Sequence, residues 1–471
     1  MDYSFFDDTI AAPATVPGTG AITVIRISGP EALTIAGKVV KCKSKSLESS
    51  DANSTRYGIV YDECGSPVDE VIASIFKAPH SYTGEDSAEI SCHASSYVAS
   101  EILRLLCQAG ARMATPGEFT RRAFVNGKMD LAQAEAVADV ISSSGSASLR
   151  VALNQLKGGF SAELREIRAQ LVELTSLLEL ELDFSEEDVE FADRSRLSDL
   201  VDKVSGHIDS LAASFRYGNA LRNGVPVAIV GAVNSGKSTL LNALLGDERA
   251  IVSDTPGTTR DTVEETLTLG GILFRFIDTA GLRNASDEVE KIGINRSYKK
   301  LSEASVVIAM LDATSSDEEE MTSISEIASK IDFSWQKLIV LLNKADLLGA
   351  NNFVSTINNS VLFNDKEIIT ITISAKTGFG LENLKEWLIN SQKDETFDSD
   401  QTIVTNIRHY EALQNALSAL VRVKSSLSQG LPPDLIAEDL RDAIRHLGTI
   451  TGEVTTDEVL GQIFERFCIG K

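Results

Sequence analysis

The chain has no apolar run of the roughly 18 residues that a membrane helix needs, so a helical span is not expected. Its start lacks the basic end and apolar stretch of a secretory signal. It carries Asp2, Asp7 and Asp8 where a transit peptide would be rich in arginine. A cytoplasmic protein with a mature N-terminus is expected. Cysteine is scarce: Cys42, Cys64, Cys92, Cys107 and Cys468 are odd in number, scattered and without a CxxC pair. Neither a disulfide framework nor a zinc site follows. The neighbours Cys92 and His93 read as core residues, because one Cys and one His without further spaced ligands make no metal site. Basic charge is deficient, with 44 Lys and Arg against 68 Asp and Glu, a net of -24. This argues against wrapping nucleic acid by bulk electrostatics and disfavours an anionic membrane surface. No internal repeat and no long low-complexity tract is present.

What is present is a globular composition. The 471 residues are 43% hydrophobic and 24% charged, enough for several cores and about three domains. Up to about residue 125, short strand-like runs (21–29 and 68–77) mix with a helical segment (101–108), an α+β texture. Residues 129–221 are helical in texture, over 130–156, 161–183 and 193–221, with Leu171, Leu174, Leu178 and Leu182 on one stripe. From 222 to 393, apolar runs at 225–230, 272–277, 306–311, 338–342 and 368–373 alternate with helical stretches. That pattern predicts a parallel sheet with crossover helices. Residues 394–400 read as an acidic linker, and 317–320 as a solvated helix start. The tail from 401 is helical again, with a break at Pro432-Pro433 before a last helical pair.

The strongest chemical signal is the stretch 231–238, GAVNSGKS, between an apolar strand and a helix at 239–245. Glycines at these places let backbone N–H groups close around phosphates. Asn234, Ser235, Gly236, Lys237, Ser238 and Thr239 are therefore candidate GTP contacts. Lys237 offers a cation to the β and γ oxygens, and Ser238 a hydroxyl to Mg2+. Asp278, Thr279, Ala280 and Gly281 follow the strand at 272–277, where a carboxylate can hold the Mg2+ shell and the Gly281 N–H can sense the γ-phosphate. Asn343, Lys344 and Asp346 end another buried strand. Asp346 can accept both ring N–H donors of guanine, a pair adenine does not offer. Ser374, Ala375 and Lys376 complete the base pocket. Each tetrapeptide alone is weak. Four in order, each at a strand's C-terminal end, predict a GTP-binding domain.

Between these motifs lies 253–261, SDTPGTTRD. A switch segment must supply a threonine hydroxyl to Mg2+, and Thr259, or its neighbour Thr258, is the candidate. Arg260 reads as an ion pair with Asp261 in preference to an arginine finger. Leu282 stands where Ras-like enzymes place a water-orienting glutamine. Another device is then needed. The amide oxygen of Asn234, with switch carbonyls near Ser253 and Thr255, could hold a monovalent cation. The acids of 287–290, DEVE, could orient water or simply be a solvated helix start.

These residues, together with both ends of the chain, resemble one family over almost the whole length. It is the tRNA wobble-uridine modification GTPase family (MnmE, also called TrmE). The resemblance rests on 81–86 (SYTGED), 116–124 (PGEFTRRAF), 126–136 (NGKMDLAQAEA), 257–261 (GTTRD), 287–293 (DEVEKIG) and the terminal Cys468-Ile-Gly-Lys471. It implies a multidomain chain: residues 1–126 as an α+β tetrahydrofolate-binding-like and dimerisation domain, 127–221 and 394–471 as two parts of one helical domain, and 222–393 as an inserted α/β P-loop G domain. It implies a homodimer. A 5-formyl or methylene tetrahydrofolate would bind near Arg26, Glu89, Lys128 and Lys471. K+ would be held by Asn234, Ser253, Thr255 and Thr258, Mg2+ by Ser238 and Thr259. Glu290 would orient water. Cys468 would act near the folate, although a tail cysteine taken alone reads as flexible.

The implied activity is potassium-stimulated GTP hydrolysis. With an FAD- and NADH-dependent partner that holds most of the tRNA, it would install an aminomethyl or carboxymethylaminomethyl group at uridine C5. The acidic net charge agrees with leaving most of the tRNA to the partner. A ribosome-assembly GTPase switch is the alternative, since the GxxNxGKS loop occurs there too. A folate-binding scaffold with incidental GTPase activity is a third reading.

Overall fold

The computed structural model describes residues 7–16, 18, 20–43, 45–183, 194–232, 234–246, 265–277, 301, 303–315, 317–348, 357–363, 366–392, 402–465, 467 and 469–470. The chain divides into two compact units. One comprises Met1–Ile141, Leu153–Gly206 and Ala412–Lys471, the other Ser142–Ala152 and His207–Glu411.

The first unit is built on a seven-stranded sheet. Its strands are β1 (Ile10–Pro13), β2 (Ile22–Ser28), β3 (Val40–Cys42), β4 (Ser54–Tyr61), β5 (Pro67–Phe76), β6 (Ser87–His93) and β7 (Arg112–Met113), in the order β3-β4-β5-β6-β2-β1-β7. All neighbours are antiparallel except β1 and β7. Alternation along the strands decides the faces. Ile25 and Ile27, Val71, Ala73 and Ile75, and Ala88 and Ile90 point to a core closed by helices α1 (Ala32–Val39) and α2 (Ser96–Gln108). Arg26 and Glu89, one position out of phase, lie on the opposite face. There α3 (Glu118–Val125) lays Phe119 against Ile10 and Ala12.

The helical part of this unit joins distant stretches. Helices α4 (Leu131–Ser142) and α6 (Gly159–Asp183) belong to it, while α5 (Ser146–Leu156), between them in the chain, lies mostly in the second unit. Leu171, Leu174 and Leu178 of the expected stripe are buried, and each such side chain is worth roughly 2 kcal/mol of transfer free energy. The side chain of Leu182 lies outside the described residues. Two later helices, α13 (Pro433–Thr451) and α14 (Asp457–Phe464), follow the double proline. Proline is tolerated in a first helical turn, where its missing N–H would have no partner. Helix α13 packs along α6, with Arg441 bonded to Glu179 at 2.5 Å and Arg168 to Glu453 at 2.5 Å.

The second unit carries the other seven-stranded sheet. It contains β8 (Val225–Gly231), β9 (Glu265–Leu269), β10 (Ile272–Ile277), β11 (Val306–Asp312), β12 (Lys337–Asn343), β13 (Ile357–Phe363) and β14 (Lys366–Thr372), in the order β13-β14-β12-β11-β8-β10-β9. The five middle strands are parallel and the two edge strands antiparallel. Central β11 is apolar on both faces, as a strand covered on both sides must be. One face packs on α9 (Lys237–Gly246) and α11 (Leu381–Ser391) through Leu240, Leu244, Leu384 and Leu388. The other packs on α10 (Asp317–Ala328) through Ile324 and Ala328. The run 317–320 does open a helix, although its side chains lie outside the described residues.

Two helical stretches are shorter than the periodicity predicts. Residues 130–156 break at 143–145, where the Ser148 hydroxyl donates to the Gly145 carbonyl at 2.9 Å and starts α5. Residues 193–221 break at Ser214, between α7 (Arg194–Ala213) and α8 (Phe215–Asn223). Its hydroxyl donates to the Leu211 carbonyl and accepts from the Val404 N–H, partners that replace helix bonds. Helix α12 spans Ile407–Ser428. Among the described residues no helix is long and apolar enough to cross a membrane. The expected linker 394–400 lies outside the described residues.

Candidate functional site

The parallel strands bring their C-terminal ends to one edge of the second sheet, and the candidate nucleotide residues gather there. Strand β8 ends at Gly231, where a β-carbon would strike the Met310 carbonyl. Asn234 adopts φ +62° and Gly236 φ +100°, so the loop turns on itself before α9 begins at Lys237. A β-carbon at Gly236 would collide with the Asn343 amide. The first N–H groups of α9 lie at the positive end of its dipole, a natural anion site. Lys237 Nζ donates to the carbonyls of Gly231 at 2.8 Å and Ala232 at 2.7 Å, which fixes the ammonium at the loop. Ser235 is buried, and its hydroxyl makes no hydrogen bond among the described residues. Ser238 is half-buried and Thr239 exposed, both in the first turn of α9.

Asn343 closes β12 and joins the two halves of the site. Its Nδ2 donates to the Ser235 carbonyl at 2.8 Å, and its Oδ1 accepts from the Ala375 N–H at 2.9 Å. The phosphate loop and the loop after β14 are thereby pinned to one side chain. Asp346 Oδ1 accepts from the Ser374 hydroxyl at 2.7 Å, which orients its carboxylate. Lys376 is exposed beside them.

One participant is missed by the sequence reading. Asp312, the last residue of β11, accepts from Lys344 Nζ at 2.5 Å, and also from the N–H and hydroxyl of Thr314. Burial alone would raise its carboxyl, but the bonds from Lys344 and Thr314 outweigh it and hold the group below the usual carboxylate range. Lys344 sits at φ +69°, a conformation costly for a non-glycine residue, and its ion pair helps to hold it. The available signal was an acid ending a wholly apolar strand. Replacing Asp312 by Asn should raise the KM for GTP about tenfold, or 1.4 kcal/mol, with kcat unchanged. The half-exposed pair itself is worth only about 0–1 kcal/mol to folding. An unchanged KM would show that Lys344 needs no anchor.

Ser253, Thr255, Thr258, Thr259, Asp278, Thr279, Ala280, Gly281, Glu290, Cys468 and Lys471 lie outside the described residues, as do Arg260 and Leu282.

The first unit holds a second cluster on the outer face of its sheet. Arg26 and Glu89 are cross-strand partners on β2 and β6, bonded at 2.8 and 3.0 Å. The Arg26 guanidinium lies 5.0 Å from the Tyr82 ring centre and 5.6 Å from that of Phe119. Lys128 Nζ donates to the Pro79 carbonyl at 2.9 Å, and its stem lies alongside Gly84. Arg26, Glu89 and Lys128 thus all meet the loop at 79–84 or its strands. The donor set fits a folate: aromatic faces for a pterin, a carboxylate for its N–H groups and cations for the glutamate.

The motifs 81–86 and 116–124 meet beneath this cluster. Tyr82 Oη and Thr120 Oγ1 are 2.8 Å apart. Fully buried Arg122 donates to Asp8 at 2.6 Å and to Glu85 and Glu118, each at 3.1 Å, and Glu85 accepts from Ser28 at 2.8 Å. The sequence gives no sign of this network. At the far end of β6, Cys92 is buried as expected, and burial pushes its thiol up to about 11. His93 departs from the expectation. It is exposed and bonded to Asp69 at 2.7 Å, because the strand turns alternate residues to opposite faces. Among the described residues no group of three or more His, Cys, Asp or Glu could hold a metal ion.

A phosphate loop leading into a helix, tied by an asparagine to a base loop with an oriented aspartate, defines the guanine-nucleotide class of P-loop proteins. Residues 131–468 match the family model described as the MnmE helical domain, and residues 9–128 match GTP-binding protein TrmE N-terminus. The chain is 48% identical over 466 residues to the tRNA modification GTPase MnmE of Parabacteroides distasonis, covering 98% of this chain and all of that protein. It is 49% identical over 471 residues to the MnmE of Bacteroides fragilis, covering 98% and 99%. It is 48% identical over 468 residues to that of Flavobacterium johnsoniae, again covering 98% and 99%. The chain belongs to the MnmE/TrmE family of tRNA modification GTPases.

Proposed function

We propose that the protein is a potassium-stimulated GTP hydrolase that drives modification of the wobble uridine of certain tRNAs at C5. It works in the cytoplasm as a homodimer, with an FAD- and NADH-dependent partner that carries most of the tRNA contact. The group installed is aminomethyl or carboxymethylaminomethyl, its carbon supplied by a one-carbon tetrahydrofolate. What carries this reading is that one chain holds both an Asn343-braced nucleotide loop and the Arg26–Glu89 cluster walled by Tyr82 and Phe119.

Lys237 and the first turn of α9 bind the phosphates, and Asp346 selects guanine. Ser238 and Thr259 are the candidate Mg2+ ligands, with Asp278 in the outer shell. Mg2+ would neutralise charge that develops on the phosphate oxygens. Asn234, Ser253, Thr255 and Thr258 are the candidate K+ ligands. A cation there would supply positive charge to the phosphate oxygens in a chain whose Leu282 cannot orient water. Glu290 orients water. In the first unit, Arg26 and Lys128, with Lys471, take the glutamate and pterin groups. Glu89 accepts pterin N–H donors, and Cys468 lies in the tail as nucleophile or hydrogen-bond donor.

The test is nucleoside mass spectrometry of tRNA from a strain lacking the gene. The C5-modified wobble uridine should vanish, return with the wild-type chain and stay absent with Cys468→Ser. Unchanged nucleosides in the deletion strain would overturn the reading, and rescue by Cys468→Ser would retire the thiol. Asn234→Ala should abolish any excess of turnover in KCl over NaCl. An equal excess in that variant would remove the cation assignment.

A further inference from the structure

One stretch of the first unit runs against the charge of the whole chain. Between Glu31 and Glu48 stand four lysines, Lys38, Lys41, Lys43 and Lys45, and no acid, in a chain whose net charge is -24. Lys38 lies in the last turn of α1, Lys41 on β3, and Lys43 and Lys45 just beyond it. All four are exposed, and among the described residues none forms an ion pair or a side-chain hydrogen bond. By contrast Lys330 and Lys424, also on the surface, pair with Glu326 at 3.0 Å and Asp202 at 2.6 Å. Charges more than about 8 Å away are screened at physiological salt, so the tract stays locally positive whatever the net charge. The register of the sheet gives it a direction. Strand β3 is one edge, where Lys41 pairs with Ile59 and Ile59 with Glu70, while Arg26 pairs with Glu89 and Glu89 with Ser74. Glu70 and Ser74 are an even number of residues apart on β5, so Lys41 lies on the same face as the Arg26–Glu89 cluster. Three strand spacings and four residues along the strand separate Lys41 from Glu89, roughly 20 Å. A few nucleotides of RNA backbone cover that span.

We propose that Lys38, Lys41, Lys43 and Lys45 form a phosphate-contact surface for the tRNA substrate, at the edge of the sheet that carries the Arg26–Glu89 cluster. The inference rests on the proposed reaction, whose polyanion is tRNA. Lysine is depleted in the cores of protein–protein interfaces, whereas at nucleic acids it meets phosphate oxygens, which fix register without reading sequence. The tract thus holds the RNA backbone while a base a few nucleotides away is presented to the cluster. An acidic protein overall can do this, because phosphate contacts act over a Debye length and not over the whole molecule.

The experiment uses the full-length protein with its partner and unmodified tRNA from the deletion strain. Wild type is compared with the combined variant Lys38→Gln, Lys41→Gln, Lys43→Gln and Lys45→Gln, with the same four positions changed Lys→Arg, and with Lys330→Gln as a control for losing one surface charge. Affinity for tRNA is measured by filter binding between about 50 and 200 mM NaCl at constant KCl. KM and kcat for modification, GTP turnover, melting temperature and assembly with the partner without tRNA are measured alongside. The Lys→Gln changes should raise the KM for tRNA about tenfold and lower the salt slope by about 0.7 for each lysine that meets a phosphate of a single strand. The kcat should stay within about twofold, and GTP turnover and melting should match wild type. The Lys→Arg changes should restore both KM and slope, and Lys330→Gln should alter neither. A KM and salt slope unchanged by the Lys→Gln changes overturn the proposal. Weaker assembly with the partner in the absence of tRNA, at an unchanged slope, makes the tract a protein contact and overturns it too. So does aggregation with tRNA affinity intact, which assigns the lysines to guarding the edge strand. A wild-type complex that leaves the wobble uridine unmodified rejects the reaction itself and the proposal with it, whereas the other three outcomes reject the tRNA surface alone.

Discussion

Asp346→Asn is expected to exchange guanine for xanthine as the preferred base. The carboxylate matches two adjacent donors, N1–H and the exocyclic amine. An amide presents one donor and one acceptor, which match the N1–H and C2 carbonyl of xanthine. The Ser374 hydroxyl, 2.7 Å from Asp346 Oδ1, can still donate to the amide oxygen and hold the new side chain in place. Sites built around buried hydrogen bonds reject a mismatched ligand by about 10⁴-fold. Affinity for GTP should therefore fall by roughly a thousandfold or more, about 4 kcal/mol, while that for XTP rises. Titration calorimetry with both nucleotides decides it. GTP affinity within a few-fold of wild type would remove Asp346 from base recognition.

Arg122→Met should strongly destabilise the first unit. The guanidinium is fully buried and shared among Asp8, Glu85 and Glu118. Removing it takes the guanidinium from Glu85 and leaves Asp8 and Glu118 to Arg112 alone, a loss of about 3 kcal/mol. The urea midpoint of that unit should fall accordingly, and Arg122→Met with Glu118→Gln should recover part of the loss. A midpoint unchanged in Arg122→Met would mean the network contributes nothing net.

The same network sets an acid limit. Burial would raise the Glu118 carboxyl, but Arg112, the Thr115 N–H and Arg122 together hold it at about 2 against an ordinary 4.5. A group depressed on folding stabilises the fold above its unfolded value and loses that stabilisation as pH falls toward the folded value. Stability should thus drop between about pH 4.5 and 2, and Glu118→Gln should flatten that slope.

The contrast between the two clusters shows what kind of information a sequence carries. The phosphate loop, Asn343, Asp346 and Ser374 were legible because chemistry fixes their spacing to one turn after a strand. Asp312 has no such spacing, since a lone acid after an apolar run is common. Arg26 and Glu89 are 63 positions apart, and only the register of β2 on β6 makes them partners. Which of Arg121 and Arg122 is buried depends on the phase of α3. The edge strands β9 and β13, ETLTL and INNSVLF, are short and partly polar, and their hairpin partners create them more than their own pattern does. The helix breaks at 143–145 and 214 come from hydroxyls whose distant or local partners the periodicity does not encode.

Asn343 holds the phosphate loop and the base loop with opposite ends of one amide. Ordering either loop therefore goes part of the way to ordering the other. Affinity for the whole nucleotide is then not the sum of its parts. Guanosine alone and pyrophosphate alone would each bear most of the cost of immobilising both loops, whereas GTP bears it once. Discrimination between bases is, in consequence, felt at the phosphates, and a substitution at one end of the nucleotide registers at the other without any change in shape.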